Sequence, residues 1–303
     1  MELRDIEYFA VVAEHGHLGR AAESLGLSQP ALSKSLRRLE QALEAKLVKR
    51  TPKGVEVTAE GSALLSRVRE LRLSLQGVAR EIADLSQGRV GYVRIGAGPT
   101  LAEHLLPSVF IALLKDAPKI TLKISVSDND LMFPALSNGE LDLIVNVLRA
   151  FPHEGLVQEH LYDDEFVVFA SADHRLTKLK RVTLADLAQE RWASSESSLG
   201  GQQWLRRAFQ DRGLPPPRVA VETRSVHLRL PIVASSAFLD FTSRRVFQQA
   251  AQRFRLAEIP VEELKWTRPI GVIYRKDAYL SPAARRLVEL LKATARAITE
   301  EQA

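Results

Sequence analysis

The most informative pattern of apolar and polar positions lies in residues 17–40, which read HLGRAAESLGLSQPALSKSLRRLE. It predicts a short helix over about 18–25 and then a turn at Gly26, because glycine readily adopts the left-handed conformation that ends a helix. Ser28 would cap a second helix, and Pro30 is tolerated in its first turn, where backbone N–H groups have no intrahelical partner. Two helices joined by a tight turn are therefore expected.

The second of these helices has two chemically different faces. Leu32, Leu36 and Leu39 recur at i, i+4 and i+7 and form one apolar stripe. The opposite face carries donors suited to DNA base edges and phosphates, namely Gln29, Ser33, Lys34, Arg37 and Arg38. One face would pack on the protein and the other would read DNA. An ordinary amphipathic helix pair with a solvated basic face is the alternative interpretation.

A short hairpin is predicted directly after these helices, over residues 47–58, which read LVKRTPKGVEVT. Both ends are apolar and β-branched, and Thr51, Pro52 and Gly54 are turn residues. With a helix over 3–14 packed behind, this organisation is that of a winged helix-turn-helix whose wing reaches a flanking groove or the DNA backbone. The predicted DNA-contacting residues are Ser28, Gln29, Pro30, Ser33, Lys34, Arg37, Arg38, Arg50 and Lys53.

Residues 58–88 predict one long helix with a narrow apolar stripe. Apolar residues occur at 64, 68, 71, 75, 78, 82 and 85, which is the 4-3 spacing of a heptad seam. Thr58 would cap the helix, and about 30 residues would make it roughly 45 Å long. A helix of this length with so narrow a stripe favours a partner helix. Packing against its own domain is the alternative.

After the break between Gly88 and Gly91 the pattern changes to short β-strands that alternate with helices. Such alternation predicts parallel sheets covered by helices. The candidate strands are 92–97, 120–126, 141–147, 165–171, 219–223, 237–242 and 269–275, and the candidate helices are 102–115, 130–138, 201–212, 226–234, 243–251 and 282–299.

Composition and charge fit this organisation. The 303 residues are 46% apolar, enough for two or three folded units, and contain no cysteine, which excludes disulfides and thiolate metal sites. The N-terminus has only a short apolar run, too little for a signal peptide or a membrane span, so a cytoplasmic protein is expected. Residues 28–53 hold seven Lys and Arg against Glu40 and Glu44, and this stretch alone accounts for the net charge of +5.

The N-terminal part resembles the LysR-type transcriptional regulators. The resemblance rests on Ala21–Leu25, Ser28–Ser33, Leu39–Glu40 and Thr58–Gly61, which match the family pattern A-A-x-x-L, S-Q-P-A-x-S, L-E and T-x-x-G around a basic wing. One departure is His17-Leu18-Gly19, where the family usually has a small hydroxyl residue at the start of the first helix.

The resemblance implies an α+β multi-domain chain. A winged helix-turn-helix would occupy 1–58, a dimerising linker helix 59–89, and a periplasmic-binding-protein-like α/β effector domain 90–303. Its first subdomain would be 91–161 plus 269–303, and its second 162–268. The implied partners are double-stranded DNA, a small-molecule effector, a second copy of the chain in a homodimer or homotetramer, and, as a further candidate, RNA polymerase. No membrane partner is implied.

Candidate effector ligands are polar residues at strand-to-helix turns. In open α/β sheets, ligands bind beyond the carboxyl ends of strands, where helix N-termini favour an anion. Thr100 and the pair Ser194 and Ser195 are the strongest candidates, because they also match positions that line the effector cleft in the resembled family. Each hydroxyl could equally serve only as a helix N-cap. The full candidate set is Thr100, Ser127, Asn146, Arg149, Ser194, Ser195 and Ser225.

An enzyme is not indicated. The seven histidines are scattered, and His15 and His17 have no further ligand at the usual zinc spacing. The run 163–165 is better explained as a charged turn before a strand than as a carboxylate site. Because the chain also lacks G-x-S-x-G, P-loop and dinucleotide motifs, we expect no catalytic residue, metal or cofactor. A cytoplasmic solute-binding or sensor protein without a direct DNA role is the alternative, and the attached DNA-reading helix argues against it.

Overall fold

The computed structural model describes residues 2–52, 54–87, 91–151, 154–196 and 200–300. The chain divides into two compact units, Met1–Ile82 and Ala83–Ala303. No helix in the described ranges is long and apolar enough to cross a membrane.

The first unit has the helices and hairpin that the sequence predicts. Gly16 and Gly26 end the first two helices with positive φ angles of 61° and 65°. Its elements are α1 (Leu3–His15), α2 (Leu18–Ser24), α3 (Gln29–Ala42), β1 (Val48–Thr51), β2 (Gly54–Val57) and α4 (Ala59–Gln87).

Side chains cap both helices of the helix-turn-helix. Ser28 Oγ accepts a hydrogen bond of 3.3 Å from Ala31 N at the start of α3, as predicted. At the start of α2 the imidazole of His17 acts as the cap, since its Nδ1 accepts a hydrogen bond of 3.1 Å from Gly19 N. The departure from the family pattern at His17 therefore exchanges one acceptor for another and keeps the helix start.

One apolar core holds the first unit together. The leucines predicted to form the apolar stripe of α3 are all buried in it. Helix α1 covers this stripe from behind, again as the sequence predicts. The buried core residues are Ile6, Phe9, Val12, Leu18, Ala21, Ala22, Leu32, Leu36, Leu39, Leu47 and Val68.

The beginning of α4 is fastened to the hairpin. Thr58 Oγ1 donates a hydrogen bond of 2.6 Å to Lys46 O and accepts one of 3.0 Å from Gly61 N, so it caps α4 as predicted. A Cβ atom on Gly61 would lie 2.2 Å from Leu47 O, which leaves room only for glycine. The T-x-x-G pattern thus has a packing reason.

The second unit is a nine-stranded mixed sheet covered by helices. The strand order is β4-β3-β5-β11-β6-β9-β7-β8, and β10 pairs with β6. Its elements are β3 (Tyr92–Ala97), α5 (Pro99–His104), α6 (Leu106–Asp116), β4 (Thr121–Val126), α7 (Asn129–Ser137), β5 (Leu143–Val147), β6 (Leu156–Ser171), α8 (Leu184–Ala188), β7 (Arg191–Ser194), α9 (Gly200–Gln210), β8 (Arg218–Glu222), α10 (Val226–Ala234), β9 (Phe238–Ser243), α11 (Arg244–Ala251), β10 (Leu256–Ile259), β11 (Trp266–Arg275) and α12 (Pro282–Glu300).

The expectation of parallel sheets is correct for only part of this unit. Strand β3 pairs in parallel with β4 and β5, and β7 pairs in parallel with β8 and β9. Strand β6 is antiparallel to β9, β10 and β11, and β11 is also antiparallel to β5. The sheet is therefore mixed because the two long strands β6 and β11 run against their neighbours.

Strands β6 and β11 cross from one half of the unit to the other. They are paired along their length, with an irregularity between Ile270 and Gly271. On one side, Leu161 and Ile270 belong to a core that includes β3, β5, α6 and α12. On the other side, Val168 belongs to a core that includes α9 and β9. The two halves of the unit thus have separate cores and share two strands.

Several predicted bounds were wrong. The predicted helix 102–115 is two helices that meet at Leu105, and Pro107 lies in the first turn of the second, where its missing N–H is tolerated. Strand β6 begins at Leu156, not at 165, because the charged residues read as a turn are paired within the sheet. The short elements α8, β7 and β10 were not predicted, since four or five residues show too little periodicity.

Candidate nucleic-acid interface and ligand site

Helix α3 presents the predicted polar face to solvent. Ser33 is half-buried on this face, and the remaining polar positions on it are exposed. The side of the helix that faces the core also contains two polar residues, Ser35 and Glu40, and both are buried. The exposed residues are Ser28, Gln29, Pro30, Lys34, Arg37 and Arg38.

A buried carboxylate, Asp5, ties α1 to α3. It accepts hydrogen bonds from Ser35 Oγ at 2.5 Å and from Arg38 Nε at 2.8 Å, and a second Arg38 nitrogen also reaches it. Asp5 is fully buried, whereas the Arg38 side chain is 46% exposed. The hydrogen bonds from Arg38 outweigh burial and lower the pKa of Asp5 to about 2. Arg38, predicted only as a DNA contact, is thus also an internal structural partner.

A second buried carboxylate, Glu40, ties α3 to the hairpin. Its Oε1 accepts a hydrogen bond of 3.0 Å from Leu47 N, and its Oε2 accepts one of 2.8 Å from Lys46 Nζ. Burial raises the pKa of Glu40, but the Lys46 ammonium and the backbone N–H groups of the hairpin outweigh it, so the net shift is downward. Apart from its place in the L-E pair of the family pattern, nothing in the sequence indicates this role, because Glu40 resembles any acidic residue near a helix end.

The hairpin carries exposed basic residues beside the helix-turn-helix. Lys49 and Arg50 lie exposed on β1, opposite Glu56 and Val55 of β2. Val55 N donates a hydrogen bond of 2.8 Å to Gly16 O, which attaches the hairpin to the turn between α1 and α2. The predicted contact Lys53 lies outside the described residues.

In the second unit, three of the predicted hydroxyls are available to a ligand. Thr100 is the second residue of α5, Ser127 follows β4, and Ser195 follows β7; all three are half-buried. Their hydroxyls make no hydrogen bond to another residue in the described part of the chain. A half-buried donor without an internal partner suits a ligand better than it suits a helix cap.

Three other predicted residues have internal partners. Ser225 Oγ caps α10 by accepting a hydrogen bond of 3.3 Å from Leu228 N, and the buried Ser194 Oγ donates one of 3.0 Å to Ser195 O. Asn146 donates from Nδ2 to Asn129 Oδ1 at 2.5 Å, and its own Oδ1 accepts a hydrogen bond from Val147 N. These side chains hold the loops in place.

Arg149, the predicted cation of the ligand site, lies exposed at the end of β5. Its guanidinium carbon is 4.2 Å from the centre of the Phe133 ring, in a cation–π arrangement. Its backbone N donates to Gln158 Oε1 at 3.0 Å, and Gln158 Nε2 donates to its carbonyl oxygen at 3.1 Å. The structure therefore places Arg149 against α7.

Further charged residues, in these loops and on strand β6, were missed by sequence reasoning. Arg224, immediately before Ser225, forms ion pairs with Asp128 and Glu196. Asp164 is buried and accepts hydrogen bonds from Ser243 and Arg268. The only available signal was position, since Arg224 and Asp128 each follow a predicted strand. Within the described residues no group of three or more histidine and carboxylate side chains is arranged to hold a metal ion.

These features define a class of protein. A helix-turn-helix with an exposed basic reading face and a basic wing, followed by a two-part α/β unit with unused donors at strand ends, is the organisation of a ligand-responsive transcription regulator.

The chain belongs to the LysR family. Residues 3–62 match the bacterial regulatory helix-turn-helix protein, lysR family, and residues 86–296 match the LysR substrate binding domain. The protein is therefore a ligand-responsive, DNA-binding transcription regulator and not an enzyme, as the sequence predicted, and the alternative of a sensor without a DNA role is excluded.

Individual relatives and structures agree with this assignment. The chain is 29% identical over 295 residues to the HTH-type transcriptional regulator GbpR of Azospirillum brasilense, which covers 97% of this chain and 86% of the relative. It is 25% identical over 300 residues to the DNA-binding transcriptional dual regulator OxyR of Escherichia coli K12, with 97% and 95% covered.

Solved structures show the same fold. Full-length CbnR complexed with its target DNA has a TM-score of 0.58 at 24% identity, and the match covers 97% of this chain and all of that one. A full-length OxyR variant from Pseudomonas aeruginosa has a TM-score of 0.59 at 24% identity, with 98% and 95% covered.

The Asp5 contact predicts an acid-sensitive first unit. Asp5→Asn should lower the free energy of unfolding of this unit by roughly 1–3 kcal/mol at pH 7, because a charge-assisted hydrogen-bond set is lost. A lowered carboxyl pKa stabilises above the ordinary value of about 3.9 and stops doing so as the pH falls towards 2. The difference between wild type and variant should therefore shrink between about pH 4 and pH 2.

Amide hydrogen exchange of α1 and α3 in the full chain measures this effect, because it follows each unit separately. Asp211→Asn, which removes an exposed carboxylate after α9, is the control and should leave α1 and α3 unchanged. A difference between wild type and Asp5→Asn that persists undiminished to pH 2 would contradict the assignment.

Proposed function

We propose that the exposed face of α3 reads DNA bases while the wing contacts the neighbouring backbone. Gln29, Ser33, Lys34 and Arg37 are the reading residues, and Ser28 and Pro30 approach DNA at the start of the helix. Arg50 and Lys53 contact phosphates from the wing. The observation that carries this proposal is the exposure of a row of donors on a helix whose opposite face is buried and anchored.

The two arginines on this face have different tasks. Arg37 is exposed, whereas Arg38 gives two nitrogens to Asp5 and keeps nearly half of its side chain in solvent. Arg38 is therefore a hydrogen-bond donor held at a fixed position near the DNA backbone, with its charge balanced by the ionised Asp5. Its substitution would change both DNA affinity and the packing of α3.

DNA contacts of the two kinds should respond differently to substitution. Lys34→Ala and Gln29→Ala should each cost roughly 1–3 kcal/mol and blur preference at particular base pairs, since base contacts carry specificity. Arg50→Ala should weaken binding to all sequences and lower the slope of log affinity against log salt by about one unit. Selection from a random DNA library, followed by fluorescence anisotropy at several salt concentrations, measures both effects.

Arg253→Ala, an exposed basic residue after α11, is the control for charge alone and should leave DNA affinity unchanged. Equal losses for Lys34→Ala, Gln29→Ala and Arg50→Ala on random DNA would contradict the assignment of α3 as the reading helix.

We also propose that α4 pairs with the same helix of a second chain. The seam residues Leu71, Leu75, Val78 and Ile82 are between 47% and 58% exposed, although they form one apolar stripe. Earlier seam residues are covered by the first unit, with Val68 buried in its core. Four adjacent exposed apolar residues support the partner-helix interpretation over packing within the chain.

Family membership motivates two further proposals. These are the assembly of two such dimers into a tetramer and contact with RNA polymerase.

Dimerisation through α4 can be tested by placing charges on the seam. Leu71→Asp combined with Leu75→Asp should abolish the dimer, because two carboxylates facing their counterparts cannot be paired in a helix interface. Ser66→Asp combined with Gln76→Asp adds the same charge on the other side of α4 and should leave the dimer intact. Sedimentation velocity of the full chain reports the result, and equal behaviour of the two variants would reject the α4 interface.

For the effector we propose a small organic anion bound at the strand ends of the second unit. Thr100, Ser127 and Ser195 would donate hydrogen bonds, and Arg149 would supply positive charge after leaving Phe133. Ser194 and Asn146 would shape the site through their internal hydrogen bonds, and Ser225, also in the predicted set, would serve as a helix cap. The proposal is supported by three half-buried hydroxyls without internal partners and by the family's substrate-binding domain.

The proposed domains are the winged helix-turn-helix at 1–58, the linker helix at 59–89 and the effector domain at 90–303. Within the effector domain, subdomain I is 91–161 plus 269–303 and subdomain II is 162–268.

Thermal shift with a panel of carboxylic acids tests the effector site. A true effector at a hundredfold excess over its Kd should stabilise the protein by about 2.7 kcal/mol. Thr100→Val, Ser195→Ala and Arg149→Ala should reduce this shift. Ser225→Ala should lower the melting temperature of the free protein through the lost cap yet keep the shift, so it separates structural from ligand contacts.

Neutral and cationic compounds belong in the same screen. Stabilisation by these compounds alone would reject the anion. Compounds that bind Thr100→Val, Ser195→Ala and Arg149→Ala as tightly as they bind the wild type would reject the proposed effector site.

A further inference from the structure

Arg224 bridges carboxylates from both halves of the second unit. Its guanidinium lies 2.6 Å from Glu196 Oε2 and also pairs with Asp128. Glu196 and Arg224 follow β7 and β8 in subdomain II, whereas Asp128 follows β4 in subdomain I. A single side chain therefore spans the two subdomains where their strand ends face the ligand site.

The backbone that carries Arg224 is held firmly. The preceding residue, Thr223, donates its N–H to Ser194 O at 3.0 Å and accepts a hydrogen bond of 3.0 Å from Arg229 Nη1. Arg229 is itself buried and paired with the buried Asp240 at 2.8 Å. The position of Arg224 is thus set by the interior of subdomain II, and a break in its pairing with Asp128 would remove one link between the two halves.

Two further contacts join the same two subdomains. His227 Nε2 on α10 lies 3.3 Å from Glu103 Oε2 on α5, and His104 Nδ1 on α5 contacts Gln249 Oε1 on α11. Helices α10 and α11 belong to subdomain II and α5 belongs to subdomain I. All three contacts come from loops or helices at the carboxyl ends of strands, which is the side where the candidate ligand hydroxyls lie.

We propose that Arg224, positioned by its ion pair with Glu196 and paired with Asp128 of the other subdomain, holds the two subdomains closed over the proposed ligand site; these two ion pairs are here called the Arg224 latch. The proposal rests on the proposed ligand site, because the latch is what a ligand must open or rearrange on entry. Apart from such contacts, the subdomains are joined by the crossing strands β6 and β11, which permit a hinge.

The solvent exposure of the latch side chains determines how strongly they favour the closed form. Arg224 and Glu196 are 47% and 40% exposed and Asp128 is 26% exposed, so solvent and salt weaken the latch. Of the two pairs, the one with Asp128 joins the subdomains, and it should change the ratio of closed to open forms by about two- to fivefold, as exposed ion pairs do. If the closed and open forms have similar free energies, a change of this size shifts their populations measurably.

The experiment measures the distance between the subdomains in the full chain. Because the sequence has no cysteine, Lys115→Cys on α6 and Gln210→Cys on α9 can carry spin labels without removal of native thiols. Labelled protein is diluted with excess unlabelled protein, so that pulsed electron paramagnetic resonance reports the distance between the two spin labels of one chain. Circular dichroism of each variant establishes that it is folded.

Arg224→Gln and Asp128→Asn should each move the distance distribution towards a longer, more open population. The double variant should open no further than Arg224→Gln alone, because both substitutions break the same link. Concentrated salt should open wild type and leave Arg224→Gln unchanged. Arg253→Gln removes the same charge from an exposed position and should keep the wild-type distribution.

A wild-type distribution for folded Arg224→Gln would overturn the latch. Full additivity of Arg224→Gln and Asp128→Asn would overturn it as well, since the two residues would then act separately. Neither measurement uses DNA or effector. Failure of the latch therefore leaves the DNA-binding and ligand-binding tests untouched, whereas their failure leaves the distance measurement valid.

Discussion

Two buried carboxylates determine how α3, the proposed DNA-reading helix, is presented. Taking a charge out of water is costly unless the charge is paired and hydrogen-bonded, and both Asp5 and Glu40 meet that condition. Asp5 holds α3 against α1, and Glu40 holds it against the hairpin. The leucine stripe supplies the apolar burial, but burial alone does not set the rotation of α3 about its own axis. The directional contacts to the two carboxylates set that rotation. The outward direction of the reading face is therefore set by groups on the inward side.

The second unit uses the same chemistry to tie its strands to neighbouring elements. Asp142 accepts a hydrogen bond of 2.9 Å from Arg94 N, which holds the start of β5 beside β3. Asp240 is fully buried, and burial raises its pKa while its pairing with Arg229 opposes the shift. Asp164 joins β6 to Arg268 of β11. The chain has no cysteine, and these paired charges supply side-chain links between separate segments in addition to the backbone pairing of the sheet.

Local periodicity predicted the elements well, and distant pairing explains the errors. Strand β3 and helix α10 have the predicted bounds because their patterns are complete within the segment. The first half of β6 was missed because Asp164 looks like a turn residue until its distant partner is known. At the candidate ligand site, sequence could not separate Ser225, which caps a helix, from Thr100, which does not. The partners of Arg224 were equally invisible, because they depend on how strand ends converge in the folded sheet.

The discontinuity of subdomain I has a consequence for how the chain folds during synthesis. Helix α12 supplies Leu287, Leu291 and Ile298 to the same core as β3 and β5, yet it follows the whole of subdomain II in the chain. As the chain leaves the ribosome, one apolar face of the early strands of subdomain I stays uncovered until α12 has been synthesised. Subdomain II is continuous in the chain and can fold first. Completion of β6 and β11 in that folded half then places the last helix beside its core. A nascent chain halted before α12 is therefore a two-unit protein with half a subdomain exposed to aggregation and to proteases.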